Sequence, residues 1–433
     1  MAKQKISIFW FRRDLRLQDN HGLFQALKSP HPVLPIFIYD NTITQKLPND
    51  DARISFIYDH LSQISTSLKT HSTTLRIEQG QVLDVWKKLS EEFEIQSVYA
   101  NEDYEPSAIL RDQQVLEFLN EFNIPFSLYK DQVIFAKGEV LKNDGTPYTV
   151  YTPYKNKWLS QIKETTIPKF ESEKSNNYLK FNQELPSMSD LGFKKSSLRV
   201  RDYSLNHLDQ YEITRNFPAR EQTSDLAPHL RFGTVSIRQM VEKTKFRAVF
   251  LSELIWREFF MQILFNFPHV VNNNFKSKYD SVEWRNDLEE FEKWKKGETG
   301  YPMVDAGMRE LNQTGYMHNR VRMITAGFLC KHLLIDWKWG EAYFASKLMD
   351  YELASNNGNW QWSAGTGCDS APYFRIFNPS EQIKKFDTQL VYIKKWIPEL
   401  NSLEYPTPMV DHKYARERAL MTYKQGLQKT VED

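Results

Sequence analysis

The sequence predicts two joined architectures: an α/β domain at the amino terminus with a mainly parallel sheet, and an all-helical domain at the carboxyl terminus. Three observations carry this. Short apolar runs alternate with helix-like stretches over residues 1–130. Helical periodicity dominates from about residue 201 to 433, where strand signals are scarce. Between them, residues 131–200 read as a connector. A length of 433 residues suggests two or three domains.

In the first domain, residues 6–11, 33–39, 74–77 and 97–99 read as buried strands, with helices at 53–68 and 107–121. This is a Rossmann-like order, but the glycine fingerprint of a dinucleotide-binding turn is missing, so the main cofactor is not expected here. The connector contains the turn signal Asn143-Asp144-Gly145, one helix at 153–162, and a polar stretch at 163–197 that reads as a long solvated loop. Clear helices follow at 251–265, 303–314, 321–334 and 340–349, and a polar helix at 411–429 ends the chain.

Composition limits the function. Hydrophobic residues make up 41% and charged residues 26%, ordinary for a globular chain. A net charge of +1 excludes a globally basic nucleic-acid binder, so phosphates would have to meet a local basic patch. Two cysteines, Cys330 and Cys368, are too few for a disulfide framework and fit a reducing, cytoplasmic setting. The polar start leads straight into a strand, which predicts no signal peptide, and no uncharged apolar run is long enough to span a membrane. Cys and His show no metal-ligand spacing. Aromatic residues reach 14% of the chain. Trp256, Trp284, Trp294, Trp337, Trp339, Trp360 and Trp362 cluster among polar residues within 253–379.

Four segments could carry chemistry. Glu253, Trp256, Arg257 and Phe260 share one helix face at i, i+3, i+4, i+7, while Leu254, Ile255 and Phe259 point to a core. That face suits a pocket wall for a flat polar ligand, although a surface Glu beside a half-buried Trp is the plainer reading. His318-Asn319-Arg320-Val321-Arg322-Met323 offers arginines that need partners if buried, and Asp350 and Glu352 are available; surface ion pairs are the alternative. The run from Asp350-Tyr351-Glu352 through Asn356-Asn357-Gly358 to Trp360 and Trp362 reads as a turn, yet its amides could satisfy a heteroaromatic ring. Thr223 and Ser224, with the backbone that follows, would suit a phosphate at a helix start or serve as an ordinary cap.

Taken together, these segments resemble the photolyase/cryptochrome family, most closely the class I cyclobutane pyrimidine dimer photolyases. The resemblance opens at Phe9-Trp10-Phe11-Arg12-Arg13-Asp14-Leu15-Arg16. It is densest in Glu253-Leu254-Ile255-Trp256-Arg257-Glu258-Phe259, in Thr299-Gly300-Tyr301-Pro302-Met303-Val304-Asp305-Ala306, and from Asn356 to Pro379. It implies an α/β domain, a connector and a helical domain that binds FAD. Tyr211, Thr223, Ser224, Asp225, Leu226 and Ala227 are implied at the FAD phosphates and ribityl chain. Ala227 stands where a serine is usual, which removes one hydrogen bond. Arg257, Asn319, Arg322, Asp350, Tyr351, Glu352 and Asn356 are implied around the flavin, with a buried Arg322–Asp350 pair and Asn356 facing N5. Glu352 stands where many relatives have Asp.

The same resemblance implies DNA containing pyrimidine dimers as partner, no obligate protein partner, and a monomer. Glu253, Trp256, Met323 and Asn356 are the implied catalytic residues. Trp256 and Trp362 would wall the flipped dimer, Glu253 and Asn319 would meet its edges, Met323 would lie beneath it, and Arg215 and Arg320 would meet DNA nearby. In the family, excited reduced FAD lends one electron to the dimer and recovers it after the ring splits. Trp360, Trp337 and Trp284 match the photoreduction chain, in that order outward. Ser107 and Ala108 replace the Asn-Glu pair of folate-binding relatives, which argues against a folate antenna and leaves a deazaflavin, another flavin or none. The alternative function is a cryptochrome-type blue-light photoreceptor without repair.

Overall fold

Five short runs pair side by side into one parallel sheet: β1 (Lys5–Phe11), β2 (Val33–Asp40), β3 (Arg76–Gly80), β4 (Glu94–Asn101) and β5 (Phe126–Tyr129), in the order β3-β2-β1-β4-β5. The structure, a computed structural model, describes residues 3–432. β1 is central, and six of its seven residues are buried. Its side chains alternate, as a two-residue pleat requires. Ile6, Ile8 and Trp10 enter one apolar layer with Val85, Trp86 and Val115; Phe9 and Phe11 enter the other with Leu23, Ile54 and Leu61. Helices cover both faces, which is why the central strands are apolar on both sides.

The chain forms two compact units. Unit one holds the residues up to Val140, Trp158–Tyr203 and Asp225–Phe246; unit two holds Leu141–Lys157, Ser204–Ser224 and the chain from Arg247 onward. The stretch 131–200 is thus shared between both units.

In unit one the structure corrects the sequence at three places. β5 was missing from the expected strands, since four residues at a sheet edge are too short to show a period. β3 starts later and runs into Glu78 and Gln79, whose polarity hides it; Arg76 and Lys88 pair with Glu78 there. The stretch 163–197 is not a solvated loop. Val33 N–H donates to Asn177 O (2.9 Å) and Leu179 N–H to Val33 O (2.8 Å). These bonds tie the segment to β2 and bury Tyr178, Leu179, Leu191 and Phe193.

Unit two is helical. Its principal helices are Ala248–Asn266, Pro302–Thr314, Asn319–Gly327, Trp337–Lys347, Leu353–Ala364, Pro379–Phe386 and His412–Glu432. The helix expected over 321–334 ends at Gly327 and continues as one wide π-type turn, Phe328–His332. The Asn-rich run expected as a turn is helix Leu353–Ala364. Tertiary bonds override its poor propensity: Asn357 Nδ2 and Gln361 Nε2 both donate to Val270 O, at 2.9 and 3.0 Å. Gly358 is required there, because a Cβ would collide with the Phe260 ring. That close approach packs this helix against Ala248–Asn266. The last helix buries Ala415, Ala419 and Tyr423, spaced four apart, along one stripe.

Candidate active site

Helix Ala248–Asn266 presents the face read from its spacing. Leu254, Ile255 and Phe259 are buried, while Glu253, Trp256 and Arg257 are half-buried beside them. Phe260, at the far end of that face, is buried. Arg257 Nη2 donates to Glu352 Oε1 at 3.1 Å. One turn earlier, Arg215 Nη1 donates to Glu253 Oε1 at 2.5 Å. One helix face therefore serves two polar clusters. Burial pushes the Glu253 carboxyl above its ordinary range, against the pull of Arg215.

The first cluster centres on Asp350. Arg322 Nη2 donates to Asp350 Oδ2 at 2.8 Å, and Arg322 Nε to Met317 O at 2.7 Å. The pair is partly buried, with side-chain exposures of 28% and 13%. Asp350 Oδ1 is buried and has no hydrogen-bond partner. A buried carboxylate oxygen without a donor is costly, so a donor from a bound group fits there. Gln222 Oε1, next to Thr223, is a second buried acceptor without a partner. Thr223 is exposed and Ser224 half-buried. Asp225, Leu226 and Ala227 belong to unit one, where Asp225 adopts a positive φ of 50° and starts helix Leu226–Arg231. Tyr211 opens a short helix and meets Phe250 edge-on at 5.2 Å.

Asn356 is held by a residue that the sequence did not single out. Its Nδ2 donates to Glu341 Oε1 at 2.7 Å and to Glu341 O at 3.1 Å. Burial pushes the Glu341 carboxyl up, and the Asn356 bond opposes this. The two residues sit on different helices, 15 positions apart, beyond any periodic signal.

The second cluster is cationic. Arg215, Arg320 and Arg322 surround His318, and burial with these charges pushes its imidazole down to about 4. The neutral ring can therefore accept: Arg320 N–H donates to His318 Nδ1 at 3.1 Å, capping helix Asn319–Gly327. Arg320 also donates to Asn216 Oδ1 (2.6 Å) and lies 4.4 Å from the Phe386 ring centroid. Asn319 is exposed, and Met323, Tyr351 and Trp362 are half-buried. Helix Pro379–Phe386, whose Phe386 ring Arg320 faces, carries Lys384 and Lys385 in its last turn; Lys384 pairs with Glu381 at 2.7 Å.

The three expected electron-path tryptophans share one core. Trp360 and Trp337 are buried within it, and Trp284 packs against it, half-buried. Trp337 Nε1 donates to Asn274 Oδ1 at 2.9 Å. The structure adds Trp294, fully buried, whose ring lies 6.2 Å from that of Trp360. Among the described residues, no group of three or more His, Cys, Asp or Glu could hold a metal ion, and no helix is long and apolar enough to cross a membrane.

Comparison with known proteins agrees with this geometry. Residues 7–172 match the family described as DNA photolyase, and residues 250–404 match the FAD binding domain of DNA photolyase. The chain is 37% identical to the deoxyribodipyrimidine photo-lyase of Vibrio cholerae, over 96% of its own length and 99% of that protein. Its fold matches a bacterial class III photolyase from Agrobacterium tumefaciens with a TM-score of 0.85 at 33% identity, covering 99% of both chains. It also matches an archaeal photolyase from Sulfolobus tokodaii, solved with two FAD molecules, at a TM-score of 0.84 and 33% identity, covering 98% and 100%. The class I resemblance remains one of motifs, and the likeness to a class III structure places the chain by family rather than by class. The chain belongs to the DNA photolyase family, and its cofactor is FAD.

Proposed function

We propose that the protein repairs cyclobutane pyrimidine dimers in DNA under light, by electron transfer from reduced FAD to a dimer flipped out of the duplex. The observation that carries this is the shared helix face of Glu253, Trp256 and Arg257. Its Arg257 end joins Glu352, two residues from the orphaned acceptor of Asp350, and its Glu253 end joins the cationic surface at Arg215. A cofactor pocket and a nucleic-acid surface thereby meet on one rigid element.

The residues present fit FAD. Asp350 Oδ1 is a buried acceptor awaiting a donor, Arg322 supplies positive charge beside it, and Arg257 pairs with Glu352 two residues on. Asn356, fixed by Glu341, is assigned to the flavin N5 edge, and Asn319, Tyr351 and Glu352 to the remaining ring edges. Tyr211, Thr223 and Ser224 are assigned to the phosphates and ribityl chain. When bound, reduced and excited, FAD supplies the electron that opens the dimer and accepts it back.

On the DNA side, Arg215 and Arg320 neutralise phosphates near the lesion. Trp256 and Trp362 offer apolar faces to a dimer that stacks poorly in the duplex, and Met323 fills the space beneath. Glu253, whose carboxyl burial pushes up against the pull of Arg215, is assigned to the pyrimidine edges. No folate antenna is proposed, because Ser107 and Ala108 stand where folate-binding relatives carry an Asn-Glu pair; a deazaflavin, another flavin or no antenna is left.

The test is illumination of the reduced holoprotein with duplexes carrying either a cyclobutane dimer or a (6-4) lesion. Repair of the first alone is expected. Repair of the second alone overturns the lesion assignment, and repair of neither favours a photoreceptor.

A further inference from the structure

A second aromatic ring lies flat against Trp256. Tyr151 opens helix Tyr151–Glu164, and its ring centroid is 3.5 Å from that of Trp256, with the planes 9° apart. The other ring neighbours are farther and less parallel: Phe260 at 5.4 Å and 29°, Phe259 at 5.6 Å and 79°. Tyr151 is 5% exposed, yet it is not simply core filling. It is fixed from three directions. Its hydroxyl donates to Ser252 O at 2.7 Å and lies 2.6 Å from Ser252 Oγ. Its N–H donates to Asp369 Oδ2 at 3.0 Å. Lys155 Nζ stands 5.8 Å from its ring centroid.

These ties have a pattern. Ser252 directly precedes Glu253 on the helix that carries Trp256. Asp369 lies just beyond helix Leu353–Ala364, which carries Trp362. Tyr151 therefore connects the two segments assigned above to the walls of the lesion pocket. Burial raises its phenol above the usual range, so it stays protonated and able to donate. A half-exposed indole on a helix surface would ordinarily sample several rotamers. With Tyr151 against one face and Phe260 stacked at 5.4 Å and 29°, the Trp256 plane is set, and an incoming pyrimidine meets the part of the indole that these rings leave uncovered.

We infer that Tyr151 is a positioning residue for damage recognition: by stacking on Trp256 it holds that indole in the one orientation that leaves a face ready for a flipped pyrimidine dimer. The inference deepens the proposed function and rests on its assignment of Trp256 to the lesion pocket.

The experiment measures binding of the FAD-loaded protein to one duplex with a single cyclobutane dimer and to the same duplex undamaged. Tyr151→Leu weakens binding to the damaged duplex about tenfold and leaves undamaged binding within about twofold. At saturating damaged DNA, its repair yield per absorbed photon, measured with pre-reduced protein, stays within about twofold of the parent, since the loss lies in binding. Tyr151→Phe, which keeps the ring and loses only the hydroxyl, retains discrimination within about threefold. A Leu variant that discriminates like the parent, or that loses both duplexes alike, overturns the inference. So does a Phe variant that loses discrimination as fully as expected for Leu, and this arm decides if the Leu variant loses its flavin. Trp256→Ala separates the two levels. If it loses discrimination while Tyr151→Leu keeps it, the positioning role alone falls. If Trp256→Ala discriminates normally, the lesion-pocket reading fails and this inference fails with it.

Discussion

Trp360→Phe protein, loaded with oxidised FAD and illuminated with an external reductant, reduces its flavin more slowly than the parent by at least about tenfold, yet repairs DNA normally once reduced chemically. Trp360 and Trp337 are buried and Trp284 is half-buried against the same core, which suits the proposed path from Trp284 at the surface inward to Trp360. Phe fills most of the Trp volume but is far harder to oxidise, so it interrupts the path at its inner end. Packing limits the choice of substitution: Gly340 lies so close to the Trp360 ring that a Cβ would collide with it, and an Ala at 360 would leave a cavity. Trp284→Phe acts at the outer end of the proposed path and also slows photoreduction. Unchanged photoreduction in both variants contradicts the assignment. The check is the absorbance of oxidised flavin followed under light, with FAD content equalised beforehand.

Asp350→Ala should weaken FAD binding by about 3 kcal/mol, a hundredfold or more in Kd. Two effects add. The variant removes the buried Oδ1 acceptor that has no partner within the protein. It also strips Arg322 of its carboxylate partner at 2.8 Å, leaving a partly buried guanidinium whose other hydrogen bond among the described residues goes to Met317 O. Asp350→Asn keeps the shape, restores part of the hydrogen bonding and should lose less. Titration of apoprotein with FAD, read by flavin fluorescence quenching, measures both. An Ala variant that binds FAD like the parent shows that Asp350 faces no cofactor.

The sequence made some of this legible and hid the rest for physical reasons. The Glu253, Trp256, Arg257, Phe260 face could be read because helical spacing is local, and the structure places those residues as spacing requires. Four of the five strands were visible as apolar runs; β5 was too short to show. The Asn-rich helix was misread as a turn because its stability comes from Val270, some 87 residues away in the chain, and not from its own propensities. The stretch 163–197 looked solvated because its polar majority masks four buried anchors against the sheet. Glu341 and Tyr151 were missed for a similar reason. Each matters through a contact made across unit two, and nothing in the neighbouring sequence announces it. Tyr151 and Trp256 are 105 positions apart yet stack face to face.

The fluorescence lifetime of the reduced flavin in the holoprotein tests the central claim most directly, because it reports whether the flavin and the lesion meet in one site. Addition of a duplex carrying a cyclobutane dimer should shorten the lifetime, and the lifetime should recover as repair proceeds; the undamaged duplex should leave it unchanged. A lifetime that stays constant while the damaged duplex is demonstrably bound would contradict the account.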